Sequence, residues 1–408
     1  MDADGSYSFV RNNYLELSGE VAVKQNIWLT GGQLSIASKL DFLRQFEGGT
    51  YNRYMSIPVA LTLNQPLFAV NTVKWDRKIE PVRYAEAKAA FLSATEDVAL
   101  LAINHYFNLL MAMETRDIAA QNLENAAKLY DVAVEKRKIG QISKNDLLQM
   151  ELNLLDARSE MTDAVSNYKS MMFQLRSFLN LDDTVDLVPE IPDAPGQTEV
   201  EYADALDRAL SRNKFVHNIR RRQLEADYEV ARAKGNMRQV SLFAQVGFTG
   251  TGTEMSGAYN PLKDNQVVEI GVSIPLLDWG KRRGQVKVAQ SNRAVVENRI
   301  RKEERDFRQD LFILVERFNN QRQQVEIALR SDTIAASRYN TNVQTYMIGR
   351  LSTLDLNDSQ MSKDEARKAY INQLYLYWYY MYQLRSLTLW DYATHTEIDA
   401  DIDRIIRQ

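Results

Sequence analysis

Two segments of this chain are much longer than an ordinary helix and contain neither glycine nor proline. The first has 58 residues, between Pro81 and Gly140, and the second has 64, between Gly284 and Gly349. As α-helices they would be roughly 87 and 96 Å long, at 1.5 Å per residue. Each is followed by a return segment that also has helical character. Helices of this length in antiparallel pairs predict an extended, coiled-coil-like rod.

The sequence repeats itself with an offset of 209 positions. Residues 130–182 align without a gap on residues 339–391, with 16 identities in 53 positions, where ordinary composition would give about 3. The same offset places Pro66 on Pro275, far upstream. One offset that holds at both ends of the aligned region indicates a tandem duplication.

The duplication predicts two repeats, 1–200 and 201–408. In the first repeat we expect two strands, a long helical hairpin and a linker, at about 14–29, 54–65, 82–182 and 183–200. In the second we expect helices, two strands and a long helical hairpin before a C-terminal tail, at about 201–236, 240–248, 267–275 and 285–391. By the offset, the first-repeat counterparts of 201–209 would fall before residue 1 and those of 210–236 on residues 1–27, where the predicted strand from about 14 leaves no room for a helix pair. We therefore expect the natural chain to start further upstream, with a signal peptide and a first helix pair.

The predicted strands alternate apolar and polar residues. The apolar positions are Met55, Ile57, Val59, Leu61 and Leu63 in the first repeat and Val268, Ile270, Val272 and Ile274 in the second. Segment 15–23 is the predicted partner of 54–65, and segments 30–53 and 249–266, rich in Gly, Asn and Thr, are predicted surface loops. Such alternation fits either a half-buried sheet in a soluble domain or a barrel wall between lipid and water. The strands alone favour the soluble sheet, but the long polar helices after them favour the barrel wall.

Four strands cannot close a barrel within one chain. Three chains with four strands each would provide twelve, an even number within the range of outer-membrane barrels. Symmetric association is the usual way to reach such closure. The pattern therefore predicts a mainly α chain with a small β part that closes into a barrel only as a trimer.

Composition argues against several functions. The net charge of −4 and the pI near 5.7 provide no basic field for nucleic acid. The chain has no cysteine, which excludes disulfides and cysteine-ligated zinc, and its three histidines are too scattered for a metal site. The sequence has no phosphate-binding loop, nucleophile elbow or pair of catalytic carboxylates. We therefore expect no cofactor, no metal and no enzymatic activity.

The turns at the ends of the two helical hairpins share a defined chemistry. Each has a glycine, a serine three residues later and an aspartate three residues after that: Gly140, Ser143 and Asp146, and Gly349, Ser352 and Asp355. A glycine just past a helix can adopt the left-handed conformation that terminates it. The serine and the aspartate come close to a capping box, which begins a return helix.

These turns resemble the tip hairpins of the TolC family of outer membrane efflux proteins. The residues that carry the resemblance are Tyr346-Met347-Ile348-Gly349, Asp355-Leu356 and Asp358, with the weaker copy Ile139-Gly140 and Asp146-Leu147. Pro66 and Pro275 resemble the prolines at which strands of that family swivel into helices. Residues 205–213 look like a short helix of the family that ends in Asn-Pro, although Lys214 replaces the proline. The resemblance covers essentially all of residues 10–392.

The resemblance implies the outer-membrane channel of a tripartite export system in a Gram-negative cell. Its homotrimer would place a 12-stranded barrel in outer-membrane lipid and an α-helical barrel in the periplasm, with a belt that includes linker 183–198. The implied partners are a periplasmic adaptor protein and an inner-membrane pump, which drives either efflux or type I protein secretion. A soluble coiled-coil scaffold with a small β subdomain is the alternative from another class. That alternative leaves the duplicated order of strand, proline and helix unexplained.

The resemblance also assigns a periplasmic gate to the tips. Asp355 and Asp358 map onto acidic rings that constrict the entrance and select ions there. Asp355 could equally act only as the helix cap. Asp358 has no capping role and its first-repeat counterpart is Gln149, so the sequence favours Asp358 as the gate residue.

Further tip residues are expected to close the entrance and to meet the adaptor. Tyr346 and Asp146 match positions of links that hold the family's entrance shut. The arginine of that network falls on Leu351 here, and the neighbouring Arg350 could replace it. Tyr346 could also be an ordinary packing residue of the coiled coil. The turn residues expected to dock the adaptor are Gly140, Ser143, Gly349 and Ser352.

Overall fold

The computed structural model describes residues 2–10, 14–45, 51–193, 196, 199–238, 240–259, 266–273 and 278–399. The chain forms two compact units, Met1–Ala85 with His217–Glu303 and Glu86–Val216 with Glu304–Gln408. The first unit contains the large sheet, and the second contains the tips of both helical hairpins. Pro275, one of the two predicted swivel prolines, and Ile274 lie outside the described residues.

The large sheet has seven strands in the described part of the chain. They are β1 (Asp2–Val10), β2 (Tyr14–Asn26), β3 (Gln33–Gln45), β4 (Tyr51–Leu67), β5 (Val240–Phe248), β6 (Gly250–Gly252) and β7 (Gln266–Ser273). Six strands follow one another in the order β1-β2-β3-β4-β5-β7, each antiparallel to the next, and the short β6 pairs with β4. A short helix, α5 (Met255–Tyr259), follows β6. The hydroxyl of Ser56 donates to the carbonyl of Ala258 in α5.

The expectation of four strands per chain is wrong. β3 lies inside segment 30–53, which the sequence predicts as a loop, and β1 is not predicted at all. Glycine, asparagine and threonine are concentrated at the two ends of that segment, whereas four apolar residues alternate between them: Leu34, Ile36, Leu40 and Phe42. Segment 15–23, the predicted partner of β4, belongs to β2 and pairs with β3. A twelve-stranded barrel therefore does not follow from the strands of this chain.

A bulge in β4 accommodates a proline. Ala37 and Lys39 of β3 are two residues apart, but their partners Ala60 and Ile57 on β4 are three residues apart. The extra residue falls beside Pro58. Proline has no N–H for the ladder and occurs in sheets mainly at edges and bulges. The bulge thus explains how β4 remains paired on both sides of Pro58.

The sheet has one apolar face and one polar face, because directly paired residues point to the same side. One row across five strands is apolar, and its side chains are 44% to 64% exposed: Val23, Ile36, Leu61, Val246 and Val268. The adjacent row is polar: Lys24, Ser35, Thr62, Gln245 and Glu269. The structure therefore confirms the alternation for Leu61 and Leu63, and the apolar row lacks the burial expected of a soluble core. Met55 and Ile57 are predicted on the same face but lie on the polar one, opposite Asp41 and Lys39, because the bulge shifts the register by one residue.

Six helices account for most of the remaining described residues. They are α1 (Thr72–Lys138), α2 (Lys144–Phe178), α3 (Tyr202–Arg212), α4 (Lys214–Met237), α6 (Lys281–Met347) and α7 (Thr353–Thr388). A two-residue pair of strands, β8 (Trp390–Asp391) and β9 (Thr396–Glu397), follows them. α1 and α6 have 67 residues each, about 100 Å at 1.5 Å per residue. The two long helical hairpins are confirmed.

The start of the first long helix differs from the sequence prediction. α1 begins at Thr72 and contains Pro81, which the sequence predicts just before the helix. The side chain of Asn71 accepts a hydrogen bond from the N–H of Lys74 at 3.2 Å, which provides the start signal. The helices expected over 201–236 are α3 and α4, and they are separate because Asn213 is extended, with ψ of 144°, and its Nδ2 donates to the carbonyl of Leu387 at 2.7 Å.

The largest core lies in the second unit and joins both repeats. Its fully buried members include Leu110 of α1, Leu311 and Phe318 of α6, and Ile371, Leu374 and Leu384 of α7. The rings of Phe107 and Tyr375 have centroids 5.6 Å apart, so α7 of the second repeat packs along α1 of the first. None of the described helices combines the length and apolar character needed to cross a membrane.

Candidate functional site

Both hairpin tips begin with a glycine in the left-handed region. Gly140 has φ of 76° and Gly349 has φ of 75°. The N–H of Gly140 donates to the carbonyl of Arg137 at 3.1 Å, and the N–H of Gln141 donates to that of Lys136 at 2.9 Å. The second tip has the same pair of bonds, from Gly349 to Tyr346 and from Arg350 to Thr345. This Schellman pattern confirms the predicted helix stops, which satisfy carbonyls that the helix leaves unpaired.

The return helices begin with the predicted serine caps. At the first tip the side chain of Ser143 accepts from the N–H of Asp146, whose carboxylate accepts from the N–H of Ser143. These hydrogen bonds with Ser143 lower the pKa of Asp146. At the second tip Ser352 accepts from the N–H of Asp355, but the carboxylate of Asp355 accepts from the hydroxyl of Ser352. The capping box is therefore complete only at the first tip.

The two tips pack against each other through a small apolar cluster. Its buried members are Leu129, Ala133, Met150, Tyr339, Tyr346 and Leu356, with Leu147 and Leu351 packed at its border. Tyr346 is only 4% exposed. Burial raises the pKa of Tyr346, and the charge of Asp146 raises it further. The hydroxyl of Tyr346 has no hydrogen-bond partner among the described residues. Tyr346 and Asp146 are thus brought near each other without a direct link within the chain.

Lys136 joins the tips, and sequence reasoning missed this role. Its Nζ donates to the carbonyl of Tyr346 at 3.0 Å and lies 4.7 Å from the centroid of the Tyr346 ring. A cation at the C-terminal end of α6 is favoured by the helix dipole and by the ring quadrupole. The second-repeat counterpart of Lys136 is Thr345. The sequence signal for this role is therefore a lysine that is present in the first repeat and absent from the second.

The predicted gate carboxylates lie in different environments. Asp355 is exposed, and among the described residues it is bound only to its own cap, Ser352. Asp358 is exposed and forms an ion pair of 2.7 Å with Arg338 of α6. Arg350 is exposed, and the described part of the chain offers it no ion pair. In the described part of one chain, no hydrogen bond or ion pair joins the side chain of Arg350 to Asp146 or Tyr346.

Behind the tips, polar groups of both repeats meet between α1, α2 and α7. A cavity of about 270 Å³ there is lined by Asn122, Glu160 and Asp364, among others. The Nδ2 of Asn122 donates to the carboxylate of Asp364 at 2.6 Å. Arg367 of α7 binds Glu114 of α1 at 3.0 Å and Asp332 of α6 at 3.3 Å. The described residues include no group of His, Cys, Asp and Glu that could hold a metal ion.

Comparison with known proteins places these features in a family. The model of the family described as outer membrane efflux protein matches residues 30–181 and 206–388. No curated protein gives a significant match to the sequence.

Solved structures with the same fold are distant in sequence. The CmeC outer membrane channel of Campylobacter jejuni has a TM-score of 0.68 and 16% identity, over 100% of this chain and 80% of that chain. VceC, an outer membrane protein of Vibrio cholerae, has a TM-score of 0.65 and 11% identity, over 95% and 88%. The open state of the MtrE outer membrane channel of Neisseria gonorrhoeae has a TM-score of 0.60 and 15% identity, over 91% and 80%. At these identities the likeness shows the fold.

Proposed function

This chain belongs to the outer membrane efflux protein family, and we propose that it forms, as a homotrimer, the passive exit duct of a tripartite export system. The family and the fold are those of outer-membrane channels and not of enzymes. In this proposal the sheet lines the pore in the outer membrane and the helices extend into the periplasm. A periplasmic adaptor and an inner-membrane pump open the hairpin tips.

The two-faced sheet is the observation that carries the proposal. The row of exposed aliphatic residues from Val23 to Val268 suits contact with lipid chains, and the row from Lys24 to Glu269 suits a water-filled lumen. A soluble scaffold would leave this apolar face in water, which soluble monomers avoid for large contiguous patches. The soluble coiled-coil alternative is therefore not favoured.

The duplication supports a ring of several copies. Within the chain, α7 of the second repeat packs along α1 of the first. By the repeat, α2 would pack in the same way along α6 of another copy. Both helices expose apolar side chains that such a contact would bury: Leu148, Leu152 and Leu155 on α2, and Phe312, Ile327 and Ile334 on α6. Each copy thus presents both halves of one repeated interface, which is the arrangement that a closed ring of copies needs.

The tips support a gate that the adaptor opens. Lys136 and the apolar cluster around Tyr346 hold the two hairpins of one chain together. The turns with Gly140, Ser143, Gly349 and Ser352 are exposed at the ends of the helices and are the proposed adaptor contacts. Separation of the two hairpins would break the contacts of Lys136 and Tyr346. We therefore expect the adaptor to provide contacts that replace them when the tips open.

The experiment that tests the function is channel formation by the purified protein. We expect oligomers that survive dodecyl sulfate until they are heated, and stepwise currents when they are added to planar lipid bilayers. A soluble scaffold would remain in the aqueous fraction and produce no conductance steps. That result would contradict the proposal.

Removing the carboxylates of Asp355 and Asp358 should lower cation preference. Around a threefold axis they would form two acidic rings, and a unit charge attracts a cation at 4 Å by about 1 kcal/mol in water. That corresponds to a factor of about five in selectivity for each carboxylate that a cation meets at this distance. Because Arg338 neutralises Asp358, we expect Asp355→Ala to have the larger effect. The measurement is the reversal potential of single channels in a salt gradient.

Arg338→Gln provides a control of opposite sign. It frees the carboxylate of Asp358 and should raise cation preference. Gln149→Ala, at the first-repeat counterpart of Asp358, should leave the reversal potential unchanged. Equal reversal potentials for wild type and the double alanine variant would reject the gate assignment.

A further inference from the structure

The two longest helices follow strands that end at the same edge of the large sheet. β4 and β7 run in the same direction, because each is antiparallel to β5. Their last residues, Leu67 and Ser273, pair with Val240 and Ser241, which are neighbours on β5. α1 follows β4, and α6 follows β7. The two strand-to-helix junctions therefore leave the sheet at one end.

The turn between β2 and β3 lies at the same end and is fastened to the start of α1. Gln33, the first residue of β3, pairs with Asn64 near the end of β4. The Nδ2 of Asn71 donates to the carbonyl of Trp28 at 2.8 Å and to that of Leu29 at 3.3 Å. Both turn residues have exposed side chains. The turn thus adds an exposed indole to the place where α1 begins.

Each junction also exposes a large aromatic side chain. We define the first junction as residues 68–78 and the second as residues 278–287. Phe68 has φ of 63° and is 75% exposed, and Trp279 has φ of 53° and is 95% exposed. A positive φ is unfavourable for a bulky residue. Neither side chain gains burial within the chain in return, which points to a contact with a partner outside it.

The first junction lies where the apolar face of the sheet ends. Leu67 is exposed and lies on the same side of β4 as Leu61, because an even number of residues separates them. The distance between them is about 20 Å along the strand, or about 15 Å along the membrane normal at a tilt of about 40°. An apolar band about 25 Å tall that ends at Leu67 would therefore have Leu61 near its middle. The aromatic residues of the junctions would then lie at the boundary between hydrocarbon and water, where such residues are enriched.

Both junctions are basic, although the whole chain has a net charge of −4. The helix dipole disfavours cations in the first turn of a helix, so these charges do not serve to stabilise α1 or α6. Apart from Arg282, which lies 3.6 Å from Asp278, all the basic side chains are exposed, and the described part of the chain offers them no ion pair. The basic residues outnumber the acidic ones at each junction: Lys74, Arg77 and Lys78 against Asp76, and Lys281, Arg282, Arg283 and Lys287 against Asp278.

We propose that the two junctions bind the headgroups of anionic phospholipids at the periplasmic surface of the outer membrane. This rests on the channel proposed above, in which the helices extend from the sheet into the periplasm. The aromatic side chains contact the ends of the acyl chains nearest the headgroups, and the basic side chains bind the phosphates. The Cζ of Arg77 lies 5.8 Å from the centroid of the Trp28 ring, which places positive charge directly beside an apolar surface. The phosphates provide the negative charge that the junctions lack within the chain.

The test is the quenching of tryptophan fluorescence by brominated lipids in vesicles that contain the inserted protein. The difference between wild type and Trp279→Phe isolates the emission of Trp279. We expect brominated phosphatidylglycerol to quench it more strongly than brominated phosphatidylcholine at the same mole fraction. If neither lipid quenches Trp279 in protein with normal conductance, another copy of the chain covers it, which overturns this inference and leaves the channel intact. Equal quenching by the two lipids would overturn the preference for anionic headgroups.

Charge removal at the second junction provides a matched comparison on one helix. Lys281→Gln with Arg283→Gln should lower the preference for phosphatidylglycerol about fivefold for each charge removed. Arg317→Gln with Arg330→Gln removes the same charge from exposed positions of α6, about 50 Å or more further along the helix, and should leave the preference unchanged. Equal losses for the two pairs would mean that the preference follows the net charge of the chain, which overturns the inference. A wild-type protein that neither inserts nor conducts would overturn the channel itself.

Discussion

Leu61→Arg should abolish insertion of most molecules into the outer membrane. Leu61 lies at the centre of the apolar row, between Ile36 and Val246, and is 44% exposed. An arginine on the lipid face of a membrane β-barrel destabilises it by about 2–4 kcal/mol near the bilayer midplane. A homotrimer would carry three such charges in one ring. The measurement is the fraction of outer-membrane protein that migrates as a heat-modifiable oligomer.

Thr62→Arg is the matched control. Thr62 is the next residue of β4, but it lies on the polar face, between Ser35 and Gln245. An arginine there would point into a water-filled lumen and should be tolerated. Equal insertion of the two variants would show that the assignment of the two faces is wrong. Failure of Thr62→Arg alone would show that the two faces are reversed.

Arg367→Ala should be the most destabilising single change among the polar residues that join the hairpins. The guanidinium of Arg367 bridges Glu114 of α1 and Asp332 of α6, whose side chains are 17% and 15% exposed. Without the guanidinium, the largely buried carboxylates of Glu114 and Asp332 would lose the positive charge that they share. Breaking such a pair costs about 2–3 kcal/mol in a partly buried setting. Heat denaturation followed by circular dichroism should show a lowered midpoint.

The repeat provides an internal control for this variant. Arg158 is the first-repeat counterpart of Arg367 and is exposed. The positions that correspond to Glu114 and Asp332 are Gln323 and Leu123, so the duplication offers Arg158 no acidic partner. Arg158→Ala should leave the midpoint nearly unchanged. Equal shifts for the two variants would show that the effect comes from loss of any arginine and not from the bridge.

Much of the tip could be predicted from the sequence because its chemistry is local. Helix termination at Gly140 and the cap at Ser143 depend on residues within a few positions of each other. The same holds at Gly349 and Ser352. The glycine must adopt a positive φ, and the serine must accept from the third N–H of the next helix. These two requirements place the residues at short, fixed spacings that can be recognised in the sequence.

The contacts between hairpins could not be predicted in the same way. Lys136 and Tyr346 are 210 residues apart, and Arg367 and Glu114 are 253 residues apart. The repeat showed which positions correspond, but correspondence is not contact. The repeat also gave no sign of these bonds, because the counterparts of Lys136 and Glu114 are residues of another type. The sequence favoured Asp358 as a gate residue without a sign that Arg338 pairs with it.

The sequence by itself determined the long helices, the tip turns and the two-faced strands, because each depends on neighbours within one or two turns or on strict alternation. Only the tertiary structure decided the order of the strands and the place of β2 beside β3. Any strand with the same alternation can pair with any other, since the ladder bonds come from the backbone and are alike in every strand. The choice between them is made by contacts distant in sequence, such as the hold of Asn71 on the turn after β2.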